Sequence, residues 1–129
     1  MMKVVQFQEF DPVGITVTHG DTTARARMAC KMLGLAGRQE IPVAVGRQTP
    51  HNSPSYQFHW AEDYVAGHPI EMSASEFIVQ TARRYRGEIT LIAVGPLENV
   101  ADALRKEPRL GNYLKRVVLM SGCLYGVAG

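Results

Sequence analysis

At 129 residues with a net charge of +2, the chain is long enough to bury the core of one domain and has no charge excess to dictate a partner. Hydrophobic residues make up 46% of it and charged residues 20%, ordinary globular values that exclude wholesale disorder. It has neither the concentrated Lys/Arg stripe of a dedicated nucleic-acid binder nor an apolar run near the roughly 20 residues that cross a bilayer.

Val13 to Thr18 (VGITVT) is short, apolar and β-branched, which predicts a buried strand. A helix follows at once. Asp21 is placed to cap its free N–H groups, and Met28, Ala29, Met32, Leu33 and Ala36 recur at three- and four-residue spacing. Gly37 suits the left-handed position that ends a helix, and Ile41 to Val45 (IPVAV) reads as a second strand closed by Gly46. From Gly46 to Pro69 the periodicity disappears. This loop of residues 46–69 carries three of the four histidines, and loops of that length are functional or disordered. Order returns at Ser73 and Glu76, spaced as a capping box, with Phe77, Ile78, Ala82 and Tyr85 on one face of the helix that follows. Gly87 leads into a third strand, Ile89 to Val94 (ITLIAV). A third helix runs from Leu97 to Lys106 and stops before Pro108. A short helical piece with Leu110, Tyr113 and Leu114 precedes a fourth strand, Val117 to Met120.

Strands alternating with helices, the strands almost wholly apolar, predict an α/β fold in a single domain over residues 1–129: a Rossmann-like parallel sheet with helices on both faces. Functional residues in such sheets sit beyond the C-terminal ends of the strands. Those loops begin here at His19-Gly20-Asp21, at Gly46, at Gly95-Pro96 and at Ser121-Gly122. Cys30 and Cys123 have no metal or redox spacing. His51, His59 and His68 lie too far apart for a compact zinc site, which uses gaps of three to five residues. No Gly-x-Gly-x-x-Gly or P-loop motif supports generic nucleotide binding. With no signal peptide at its start, the expected location is cytoplasmic.

Three stretches, in order, resemble the nucleoside hydrolases that prefer inosine and uridine. The first is Gly14 to Asp21 (GITVTHGD), continued by Leu35 to Val43 (LAGRQEIPV); the second is Gly87 to Asn99 (GEITLIAVGPLEN); the third is Lys115 to Gly122 (KRVVLMSG). Together they span most of residues 13–123. The resemblance implies an incomplete nucleoside hydrolase fold and, for the family, hydrolysis of the N-glycosidic bond of purine and pyrimidine ribonucleosides to ribose and base. It also implies a calcium cofactor. Carried over residue by residue, it places Asp21, Asn99 and Met120 at the substrate, with His59 and Asp63 as relics of a substrate loop, and the Val94 backbone carbonyl at the metal. Asp21 doubles as a helix cap, and Met120 reads equally well as core. Glu98 replaces the family's usual Thr, and an acidic residue suits a first helical turn. Tyr56, Phe58, Trp60 and Tyr64 are expected to fold onto their own domain rather than stack on a base.

The departures matter as much. Family members open with an aspartate-rich motif that holds calcium, and their later half adds a further Asp, a His and a ribose-gripping segment; this sequence shows none of these. Met1 to Phe7 looks like the tail of the helix that would follow the motif. Hydrolysis passes through a ribosyl cation and needs anionic groups around the ring together with an activated water. No catalytic residue is assigned, and the chain alone is expected to be inactive and to bind no calcium. The competing expectation is a non-catalytic binding or assembly protein on the same scaffold. Without its central first strand the sheet has unpaired edges. Three outcomes stay open: residues 1–7 rebuild a strand, the gap closes, or a second copy or other partner chain fills it.

Overall fold

The computed structural model describes residues 9–50 and 56–122. Met1 to Phe7, His51 and Cys123 lie outside the described residues. Four short strands alternate with three α-helices in the expected order: β1 (Ile15–Val17), α1 (Thr22–Leu35), β2 (Val43–Val45), α2 (Ala74–Arg84), β3 (Thr90–Ala93), α3 (Glu98–Lys106) and β4 (Arg116–Leu119). Two 3-10 segments, Tyr56–Ala61 and Leu110–Asn112, complete the set; the first lies inside the stretch whose sequence shows no periodicity.

Helix boundaries follow local chemistry. Asp21 Oδ1 accepts from the Ala24 N–H at 2.9 Å, the expected N-cap. Gly37 adopts φ +67 just past the helix end, where a Cβ would be strained. The buried stripe of α1 is Ala26, Ala29, Cys30 and Leu33, so Cys30 takes the core place expected of Met32. The capping box of α2 is half formed. Ser73 Oγ accepts from the Glu76 N–H at 3.4 Å, while the Glu76 carboxylate accepts from Gln80 at 3.1 Å instead of turning back to the cap.

The strands are parallel, and the helices cover both faces. They fall into two hydrogen-bonded pairs, β1 with β2 in register Ile15 to Val43 and β3 with β4 in register Thr90 to Arg116. Each pair has its own core. Ala26, Ala29, Cys30, Leu33, Ile41 and Val43 form one; Ile78, Val79, Ala82, Ala103, Leu110 and Tyr113 form the other. Between β1 and β3 runs a crevice of about 290 Å³, lined by Thr16 and Val17 on one wall and Leu91, Ile92 and Ala93 on the other. Met28 of α1 and Ile78 of α2 close its sides. Val117, Val118 and Leu119 of β4 are all exposed, although consecutive strand residues point to opposite faces.

Candidate functional site: the carboxyl ends of β1 and β3

Chain order runs from β1 outward to β2 on one side of the crevice and from β3 outward to β4 on the other. A reversal of this kind opens a crevice at the strands' C-terminal ends, where doubly wound folds bind ligands. Two recesses lie there. Thr18, Gly95, Pro96 and Asn99 form the upper end of the crevice itself. Beside it, a cleft of about 200 Å³ is lined by Asp21, Ala24, Arg27, Phe58, His59 and Glu62.

The expected site residues divide between the two. Asp21 and His59 line the same cleft, and His59 Nδ1 stands 3.0 Å from Glu62 Oε2. Asp63 is exposed and does not line that cleft. Val94 and Asn99 line the crevice. Asn99 is only 5% exposed; its amide donates to the Val17 carbonyl at 2.9 Å and ties α3 to the end of β1. Met120 follows β4 at 69% exposure, so its core alternative does not hold: no element among the described residues covers that face. Of the aromatic residues expected to fold onto their own domain, Tyr64 packs against the first core and Phe58 and Trp60 meet α1, while the Tyr56 side chain lies outside the described residues. Arg25 stands over the Phe58 ring at 5.7 Å and Lys31 over Trp60 at 4.6 Å, contacts that also fasten the loop to α1.

One cluster was not legible in the sequence. His19 holds φ +70, the left-handed region that β-carbons disfavour. Its Nδ1 is 3.3 Å from Glu98 Oε1 and 3.3 Å from Thr49 Oγ1. Thr18 Oγ1 donates to Glu98 Oε2 at 3.1 Å, and Arg25 Nε donates to the His19 carbonyl at 2.7 Å. Burial raises the pKa of Glu98, but hydrogen bonds from its own backbone N–H, His19 and Thr18 outweigh that and hold it below its ordinary value. Glu98 reads from sequence as a favourable charge in a first helical turn. Its partners lie about 80 positions away, so no local pattern could show them.

The calcium implied by resemblance can be tested against these donors. A calcium ion takes six to eight oxygens, several of them anionic. Among the described residues no three His, Cys, Asp or Glu side chains converge as a ligand set, and the Val94 carbonyl supplies one neutral oxygen. That donor set does not fit the ion.

Comparison with known proteins agrees with this architecture. Residues 1–128 match the family model of the inosine-uridine preferring nucleoside hydrolases. A probable uridine nucleosidase 2 of Arabidopsis thaliana is 36% identical over 128 residues, covering 88% of this chain and 40% of its own. A plant nucleoside hydrolase structure superposes with a TM-score of 0.82 at 24% identity, over 95% of this chain and 43% of that one. The Bacillus anthracis inosine-uridine preferring nucleoside hydrolase gives 0.78 at 20% identity, over 99% of this chain and 48% of its own. At those identities the superpositions establish the shared fold. The chain spans about 40% of the length of the Arabidopsis relative. The family match over nearly every residue, the parallel strands and the crevice at their carboxyl ends place the chain in the inosine-uridine preferring nucleoside hydrolase family.

Proposed function

We propose that the chain carries the nucleoside-facing part of a ribonucleoside N-ribohydrolase and that, alone, it does not complete the reaction. The observation that carries the reading is the family match across residues 1–128, joined to a crevice at the point where the strand order reverses. Cleavage of an N-glycosidic bond leaves a ribosyl cation to be stabilised and a water to be activated. Asp21, with one oxygen engaged as a cap, keeps the other for a ribose hydroxyl. The crevice beside Asn99 and the cleft at His59 give the sugar and base a place to sit. The anionic ring around the cation is what these residues lack.

The test is calorimetric titration of calcium into the purified chain, without and with inosine or uridine, alongside an assay for released ribose. No calcium binding at millimolar concentration and no ribose above the protein-free control are the expected results. Turnover that tracks the protein and disappears with a chelator would overturn the inactivity.

A second reading, a non-catalytic binding or assembly protein, has its own observation: the facing open edges of β1 and β3 and the exposed apolar β4. On either reading the sheet is completed by a strand from outside the described residues, and a second copy of the chain is the simplest source. Residence in the cytoplasm belongs to the same proposal; no helix among the described residues is long and apolar enough to cross a membrane.

A further inference from the structure

His19 occupies the two-residue bridge between the recesses, with Thr18 lining the crevice before it and Asp21 lining the cleft after it. Several contacts hold it there. The backbone is kept at φ +70, a conformation that β-carbons disfavour. Arg25 grips its carbonyl, and the Thr49 hydroxyl accepts from the Gly20 N–H at 2.8 Å. The side chain of His19 is nevertheless 45% exposed, while that of Glu98 is 19% exposed. A strained, fastened residue with an open ring at the carboxyl end of a strand is the usual mark of a working position.

The ring nitrogens have different surroundings. Nδ1 faces the Glu98 carboxylate, and an ionised carboxylate only accepts hydrogen bonds. The contact therefore requires the proton on Nδ1. The depressed pKa of Glu98 keeps that acceptor ionised at neutral pH. The Thr49 hydroxyl, at the same 3.3 Å, would favour the other tautomer if it donated to Nδ1. A charge-assisted bond to a carboxylate is about twice as strong as a neutral one, so the carboxylate sets the proton's place. Nε2 is then a lone-pair acceptor, and among the described residues no side chain engages it.

We propose that His19 and Glu98 form a hydroxyl-reading pair: Glu98 fixes the imidazole as its Nδ1–H tautomer, and Nε2 accepts a hydrogen bond from a hydroxyl of a polyol ligand. This rests on the nucleoside reading above for its natural ligand, which would be the ribose of a ribonucleoside. The His19 ring touches the ligand; Glu98 is a positioning residue that acts through it. A carboxylate orienting a histidine whose far nitrogen does the work is a recurrent arrangement in sites of many kinds.

The test uses the ¹⁵N-labelled chain at about pH 8, above the ordinary histidine pKa, with long-range proton–nitrogen correlations assigning the ring nitrogens. The His19 signals are identified by their loss in His19→Asn, chosen because Asn tolerates positive φ. Expected are the Nδ1–H tautomer in the unmodified chain and a loss of that preference in Glu98→Ala. An Nε2–H tautomer in the unmodified chain overturns the pair whatever the variants do. Uridine and free ribose are then titrated separately. A shift of the Nε2 resonance with both, and binding about tenfold weaker in His19→Asn, is the expected result. Ribose moving Nε2 while uridine does not would keep the pair and sink the nucleoside reading. Neither ligand moving Nε2 overturns the inference.

Discussion

A Cβ placed on Gly46 would stand 2.1 Å from Asn99 Oδ1 and 2.6 Å from the Val17 carbonyl oxygen. The second contact is with backbone, which cannot swing aside as a side chain can. Gly46 also donates its N–H to that same carbonyl at 2.9 Å, so the end of β2, the end of β1 and the first turn of α3 meet with no spare volume. Gly46→Ala is therefore expected to destabilise the chain by about 1–3 kcal/mol, the usual range for overpacking. Urea unfolding of the two proteins would show it, and an unchanged midpoint would mean that Asn99 and β1 give way freely. At this scale, legibility depended on distance along the chain. The Asp21 cap joins residues three apart and can be read from their types. The Asn99 tie to Val17 spans 82 positions, and the family resemblance gives Asn99 only a substrate contact.

Helices α2 and α3 pack against each other through small residues, with Leu91 of β3 against the same cluster; Ala82 and Ala103 are both fully buried. The apolar spacing of α2 was plain in the sequence, and so was the end of α3 near Pro108. The charge buried at that end was not. Glu107, which caps α3, is buried. It takes a hydrogen bond from the Arg83 guanidinium of α2, the Arg109 N–H at 3.1 Å and the Tyr113 hydroxyl at 3.5 Å. The Arg83 guanidinium, then the Arg109 N–H, hold the Glu107 carboxyl below its ordinary value of 4.5 against the opposing effect of burial. A carboxyl whose pKa is lower folded than unfolded adds stability that is complete above 4.5 and is lost as pH falls through the folded value. Glu107→Gln should then be less stable than the unmodified chain at neutral pH, with the gap closing as pH drops below 4.5. Denaturation midpoints measured across that range decide it: a gap that stays constant with pH would show that shape, not charge, is what Glu107 contributes.

Across the whole molecule, alternation of strand and helix was enough to give parallel strands with helices on both faces, because apolar runs of that length admit few other arrangements. Composition and periodicity could not show that the strands would divide into two pairs with separate cores, since pairing depends on which strand lies beside which. That division has a physical consequence. Alternate residues of a parallel strand send their N–H and C=O groups to opposite sides. Bonds such as Ile15 to Pro42 and Met120 to Ala93 occupy the outward sides of β1 and β3. The inward groups of both strands face the crevice, and unpaired edges of this kind recruit strands from other chains. On β4 the exposure of Val117, Val118 and Leu119 leaves apolar surface on both faces as well, and contiguous exposed apolar surface marks interaction sites. The chain is therefore expected to associate. Size-exclusion chromatography with light scattering, run over a wide range of concentration, should give a mass that rises above 14.2 kDa as concentration increases. Charged substitutions at Val118 and Met120 should hold the mass down if the β4 face takes part, and leave it rising if only the crevice edges pair. A single mass of one chain at every concentration would mean that the two pairs close on each other in solution, and the completing strand would lose its physical motive.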